Sequence, residues 1–335
     1  MVERKIKVHI VGTHGVPAKY GGFETLADYL CQYLGDEFDI TVYCNANKYE
    51  DKPKRYHSAK LKYIKLDASG AEGILYDMIT YPQALLKADI VLYLSPVGSG
   101  FMTPLKEMFG KKVIVNHGGL NEWEREKLSW FQKKWAKMNH FIVIRYGGEQ
   151  VKKIGLNEKG FLAKYPFVKD KYAVSVSRAQ VDNNVHMVLE AFESFNNYKL
   201  VLISNWEVSQ YGMDLKEKYK DHPNMILLDA IYDKEELDFI RGNAYLYVHS
   251  HSRCGTAPSL VEAMNLGLGI ISYDVPTNRE TTLGKASYFE SSKSLVDSLN
   301  KLSDSSIKRN SQEMEEIGKK EYSWQNITSQ YKNLF

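Results

Sequence analysis

Residues 5–12 run KIKVHIVG, an apolar-rich stretch of the kind that forms a buried strand. Phe23, Leu26, Ala27, Leu30 and Leu34 then recur at helical spacing until Gly35, so strand, loop and helix make the opening unit. Short apolar runs follow at 40–43, 61–66, 90–94 and 113–115, with helical stretches between several of them. That alternation predicts a parallel sheet covered by helices. A second series starts with YAVSVSR at Tyr172 and continues through KLVLIS, MILLD, YLYVHS and GIISYD, again with helical patterns between the runs. Residues 150–171 are polar and carry Gly and Pro, the composition of a connection. The expectation is an α/β chain of two similar halves, 1–160 and 161–320.

Composition narrows the class. A length of 335 residues accommodates two cores, and with 44% hydrophobic and 25% charged residues the chain is expected to be soluble and globular. No apolar run approaches the roughly 20 residues needed to span a bilayer. MVERKIKVHIVG passes straight from a short charged stretch into a strand, so no signal peptide is expected. Cys31, Cys44 and Cys254 show no metal-ligand spacing and cannot all pair, which suits a reducing compartment and a cytoplasmic protein. A net charge of +3 without a long basic tract argues against a nucleic-acid partner.

Two loops carry the candidate chemistry. In GTHGVPAKYGGFETLADYL, residues 12–30, Gly21 and Gly22 stand directly before a helix, whose first N–H groups lack intrahelical partners and suit an anion. A glycine turn that merely connects two elements is the alternative. The spacing is neither G-x-G-x-x-G nor the Walker pattern. In HSHSRCGTAPSLVEAMNLGLGIISYD, residues 249–274, Gly255 and Thr256 follow a strand. Thr256 is placed to cap the next helix, Pro258 suits its first turn, and Leu260, Val261 and Met264 form its buried face. Glu262, a turn into that helix, either reaches sugar hydroxyls or is a solvated surface carboxylate.

Taken together, GTHGVPAKYGGFET, VSRAQVDNN and GTAPSLVEAM resemble, over nearly the whole chain, a nucleotide-sugar-dependent glycosyltransferase of the GT-B fold, retaining family four. SNWEVSQYG and DVPTNRE narrow the resemblance to a bacterial branch with rhamnosyltransferases of capsule, O-antigen or cell-wall polysaccharide assembly. The resemblance implies two Rossmann-like domains facing a central cleft, an N-terminal acceptor side and a C-terminal donor side, with a final helix over 321–335 packing back on the N-terminal domain. It implies Arg178 at the donor diphosphate, the turn from Gly255 through Thr256, Ala257, Pro258 and Ser259 beside it, and Glu262 at the ribose. Gly21 and Gly22 would close over the phosphates from the opposite domain. His117, in VIVNHGGLNEW, is placed at acceptor or donor sugar, or is a structural turn histidine.

Three positions depart from the family pattern. Cys254 stands where the first glutamate of Glu-x7-Glu is usual, Asn183 and Asn184 occupy the region of a common lysine, and His14 replaces an arginine. Lys19, Arg253 and Arg279 are candidate replacements for the missing charge. No Asp-x-Asp occurs, so no divalent metal and no other cofactor is expected. The expected reaction is transfer of L-rhamnose from dTDP-L-rhamnose to a lipid-diphosphate-linked saccharide, without a protein nucleophile. Rival readings are a UDP- or GDP-sugar donor (glucose, galactose, N-acetylhexosamine, mannose or fucose), a nucleotide-sugar epimerase, and a non-catalytic sugar-nucleotide-binding protein. In residues 121–141, Leu128, Phe131, Trp135 and Met138 share a helical face, with Lys133, Lys134 and Lys137 near its end. That pattern fits a core helix with a basic outer side, while the resemblance to polysaccharide enzymes, whose acceptors are lipid-diphosphate-linked sugars, implies peripheral contact with the inner face of the cell membrane.

Overall fold

The computed structural model describes residues 4–19, 21–68, 70–94, 110–116, 142–158 and 160–335. His117 and the basic, aromatic stretch at 121–141 lie outside the described residues. The chain divides into two compact units: Met1–Ile144 with Trp324–Phe335, and Arg145–Ser323.

In the first unit, β1 (Lys7–Val11), β2 (Asp39–Asn45), β3 (Arg55–Tyr56), β4 (Ala59–Ile64), β5 (Ile90–Tyr93) and β6 (Lys112–Val115) form a sheet in the order β3-β4-β2-β1-β5-β6. Every pairing is parallel except the β3–β4 hairpin at the edge. Val8, Ile10 and Val11 of β1 are fully buried, as a central strand covered on both faces requires. Helix α1 (Gly22–Leu34) buries Leu26, Ala27, Leu30 and Leu34. Gly35 ends it in a right-handed conformation, φ −62°, and is required by close approach: a Cβ there would lie 2.5 Å from the Cys31 carbonyl oxygen. Helix α2 (Gly70–Lys87) packs Tyr76, Tyr81, Ala84 and Leu85 into a cluster with Val11, Val91 and Tyr93.

The second unit repeats the plan. Strands β7 (Tyr172–Val176), β8 (Lys199–Ser204), β9 (Met225–Asp229), β10 (Leu246–His249), β11 (Gly269–Tyr273) and β12 (Ser287–Phe289) form a parallel sheet in the order β12-β11-β10-β7-β8-β9. Its helices are α3 (Phe161–Lys164), α4 (Val185–Ser194), α5 (Gln210–Tyr219), α6 (Lys234–Gly242), α7 (Pro258–Asn265), α8 (Pro276–Thr281), α9 (Ser292–Lys301) and α10 (Asp304–Glu321). Cores lie on both sheet faces: Val188, Phe192, Leu200 and Leu202 on one, Val174, Val201, Leu260 and Met264 on the other.

The first unit ends at Ile144, short of the 160 expected from composition. The polar stretch that follows is docked on the second unit by long-range bonds: the Gly148 N–H donates to the Tyr322 carbonyl at 2.8 Å, and the Lys152 N–H to Asp238 at 2.8 Å. The last helix, α11 (Trp324–Leu334), returns to the first unit, where Trp324 stacks on Tyr29 with ring centroids 4.4 Å apart.

Candidate donor-binding site

In an open parallel sheet, ligands bind beyond the strand C-termini where the order reverses. In the second unit that point lies between β7 and β10. Both strands end in loops that carry sequence-predicted site residues. Past β7 come Arg178 and Ala179, a short turn at Val181–Asn183, and Asn184, whose φ of 49° redirects the chain into α4. Past β10 comes the stretch from Ser250 to Ala257, which feeds α7.

Side-chain bonds staple the two loops together. The Asn184 amide donates to the Ser250 carbonyl at 3.1 Å, the Ser250 hydroxyl donates to the Asn183 carbonyl, and the Ser252 hydroxyl to the Asp182 carbonyl at 2.7 Å. Asn183 donates to the Arg178 carbonyl at 2.8 Å, and Asn278 of α8 to the His251 carbonyl at 3.0 Å. Asn183 and Asn184 therefore act as loop fasteners. Arg178 is exposed and makes no ion pair among the described residues. It lies near enough to His251 that its charge, after burial as the larger cause, helps bring that imidazole down to about 4. His249, deeper in the strand end, is pushed well below the usual histidine range by burial and then by His251. Both rings are neutral at pH 7, and the Asp182 carboxylate opposes Arg178 at His251.

Helix α7 opens with Ala257 as N-cap, not Thr256. The reason is Pro258 at its first position: a residue before proline is pushed out of the helical region, and Ala257 takes φ −75°, ψ 119°. No side chain caps this helix. The Tyr247 hydroxyl on β10 donates to the Val176 carbonyl on β7 at 3.2 Å. Gly255, Thr256 and Ala257 follow directly on the segment that Ser250 and Ser252 staple to the loop after β7.

Glu262 is more committed than either sequence reading anticipated. Its carboxylate accepts from Gln150 at 2.6 Å and pairs with Arg241. Arg241, 3% exposed, also holds Asp238 at 2.8 Å. Burial alone would lower the Arg241 pKa, but the two carboxylates outweigh it and raise it; burial raises Asp238 despite Arg241. A carboxylate offers about four acceptor positions, so two bonds leave Glu262 capacity for a hydroxyl.

The glycine loop of the first unit is held from within. Gly15, at φ 114°, packs so tightly on Cys44 that a Cβ would lie 2.5 Å from its Sγ. Glu24, in the first turn of α1 and buried, accepts from the Thr13 hydroxyl at 3.0 Å and the His14 N–H at 2.9 Å. Gly21 is the extended N-cap of α1, with Gly22 the first helical residue. The Glu24 carboxylate therefore already faces the positive end of α1, beside the two glycines. His14 Nδ1 lies 3.7 Å from Asp67. Of the candidate replacement cations, Lys19 reaches the Lys48 carbonyl, Arg279 makes a bidentate pair with Asp274, and Arg253 is exposed in the loop after β10.

Comparison with known proteins agrees with this architecture. Residues 5–174 match the family model described as a domain of unknown function, DUF1972, and residues 160–322 match that of glycosyl transferases group 1. No curated protein sequence matches. Among solved structures, sucrose-phosphate synthase from Thermosynechococcus elongatus superposes with a TM-score of 0.74 at 13% identity, covering 99% of this chain and 98% of that one. HepE from Anabaena, in complex with UDP, gives 0.71 at 12% identity with 99% of each chain covered. WaaG, a glycosyltransferase involved in lipopolysaccharide biosynthesis, gives 0.66 at 12% identity, covering 98% of this chain and 99% of that one. The fold is the GT-B arrangement of two parallel-sheet α/β domains.

Proposed function

The chain belongs to the DUF1972 family and carries a glycosyl transferases group 1 region in its second half, and from that premise we propose a retaining glycosyltransferase that moves L-rhamnose from dTDP-L-rhamnose to a lipid-diphosphate-linked saccharide in bacterial surface-polysaccharide synthesis. The observation that carries the transfer chemistry is Arg178: an exposed guanidinium without an ion pair among the described residues, on the loop at the switch point of the second sheet and near His251. Departure of a nucleoside diphosphate builds negative charge on the leaving oxygens. Fixed donors aimed at that charge lower the barrier without reorganising. Arg178 meets the diphosphate, the turn from Gly255 to Ser259 supplies backbone dipole, and Glu262, held by Arg241 and Gln150, receives a ribose hydroxyl. Gly21, Gly22 and His117 belong to this reading through the family pattern alone.

The chemistry needs no divalent metal and no cofactor, since guanidinium and helix dipole carry the phosphate charge. The lipid-linked acceptor brings the chain to the cytoplasmic face of the membrane as a peripheral protein. No described helix is long and apolar enough to cross it. A UDP-sugar donor is the second reading, favoured by the structural neighbour HepE, whose complexes hold UDP and UDP-glucose.

The test incubates purified protein with dTDP-, UDP- and GDP-sugars and a polyprenyl-diphosphate saccharide, with EDTA present, and follows nucleotide release and product mass. Release of dTDP with a product gain of one deoxyhexose is expected. Arg178→Ala is expected to lower kcat by roughly 100- to 1000-fold, the scale for losing one electrostatic donor. Release of UDP or GDP only would overturn the donor. Full turnover by Arg178→Ala would overturn the site.

A further inference from the structure

His249, the last residue of β10, is 1% exposed, and neither of its ring nitrogens has a hydrogen-bond partner. The Nε2 of His251 is likewise buried and unpartnered. An orphaned buried polar group costs about 1–3 kcal/mol, so two adjacent imidazoles left this way call for an occupant. The rings stand 4.5 Å apart between centroids, and Cys254 joins them: one ligand atom from each of the three residues lies within 4.8 Å of the others.

We propose that His249, His251 and Cys254 form a binding site for a thiophilic divalent cation of the zinc type. Two imidazoles and a thiol select zinc, cobalt or copper over magnesium and calcium, which prefer oxygen ligands. Tetrahedral zinc, with Zn–N of about 2.0–2.1 Å and Zn–S of about 2.3 Å, spaces its ligand atoms roughly 3.3–3.6 Å apart. Rotation of the half-buried His251 and Cys254 side chains, closing the widest gap by about 1 Å, completes the set. The backbone between them is already fixed, since Ser250 and Ser252 are tied to the loop after β7 and the His251 carbonyl to Asn278. Cys254 releases its thiol proton to solvent as the thiolate coordinates. The fourth position is left to water.

This site stands apart from the transferase reading, and its test does not use turnover. The full chain, stripped with chelator, is titrated with Co²⁺ and followed by near-ultraviolet absorption, then back-titrated with Zn²⁺. One Co²⁺ per chain is expected, with a thiolate-to-metal charge-transfer band that Zn²⁺ abolishes and excess Mg²⁺ leaves intact. Cys254→Ser removes the band and His251→Gln weakens binding by at least roughly tenfold, with circular dichroism confirming that each variant is folded. A band that survives in Cys254→Ser, placing the thiolate at Cys31 or Cys44, would overturn the proposal, as would a Co²⁺ titration without a thiolate band.

Discussion

Replacing Arg241 with Met tests whether the buried ion triad holds Glu262 in place. The guanidinium is 3% exposed and bridges Asp238, itself 4% exposed, to Glu262 on α7. Its removal leaves two carboxylates near one another without a counter-ion. Breaking a buried pair from one side costs about 3–5 kcal/mol, because the abandoned charge must stay desolvated or take up a proton. At about 2–4 °C per kcal/mol for a unit of this size, the fall in Tm is roughly 6–20 °C. The deficit should depend on pH. Burial already raises the Asp238 pKa above its unfolded value, and without Arg241 it rises further. A raised folded pKa means that the native state holds the proton more tightly. Stability is then retained below the unfolded carboxylate pKa of about 3.9 and lost as pH rises through the folded one. Urea denaturation followed by Trp206 fluorescence at several pH values measures both effects. The triple variant Asp238→Asn/Arg241→Met/Glu262→Gln should recover most of the loss, since no charge is then stranded. A single variant within about 1 kcal/mol of the parent at neutral pH would refute the reasoning.

Gly15→Ala combines a φ of 114° with a Cβ 2.5 Å from Cys44 Sγ, and should destabilise the first unit by more than about 1 kcal/mol in chemical denaturation. His9, buried on β1, has its pKa lowered to about 4, chiefly by burial, with Asp39 opposing. Its folded pKa lies below the unfolded 6.5, so its contribution is complete above 6.5 and is lost as pH falls towards 4. About 2 kcal/mol should disappear between pH 7 and 5, and His9→Gln should flatten that part of the urea-stability profile. Trp324→Ala, removing a fully buried ring stacked on Tyr29, should cost about 3–5 kcal/mol, read as a lower urea midpoint for the first unit.

The sheets were legible because strands buried on both faces are written as continuous apolar runs: KLVLIS and MILLD coincide with Lys199–Ser204 and Met225–Asp229. What local pattern could not supply was partnership across the chain. The stretch after residue 144 is polar like a free connection, yet its N–H groups are satisfied by Tyr322 and Asp238, 174 and 86 positions away. Glu262 is recognisable as a carboxylate on the right helix, while its Arg241 lies on another helix 21 positions earlier. The wrong cap at Thr256 had a local cure, because Pro258 at the first helical position already assigns the cap to its neighbour Ala257.

The histidines after β10 were missed for a different reason. A His-x-His at a strand end, three residues before a cysteine, carries no signal in a test that asks only how cysteines are spaced from one another. Strand geometry is what makes the pattern informative, since residues two apart on an extended segment face the same side. At this strand end Tyr247 stacks on His249, and neither nitrogen of His249 nor Nε2 of His251 has a hydrogen-bond partner among the described residues. The departure at Cys254 then takes on chemical content. An acidic residue there would offer hard oxygen to a sugar hydroxyl, whereas a thiol beside two neutral imidazoles offers a soft ligand set. The loops after β7 and β10 thus bring Arg178, proposed for the donor diphosphate, close to the trio proposed for a cation, with the Arg178 and Asp182 charges acting in opposite senses on His251.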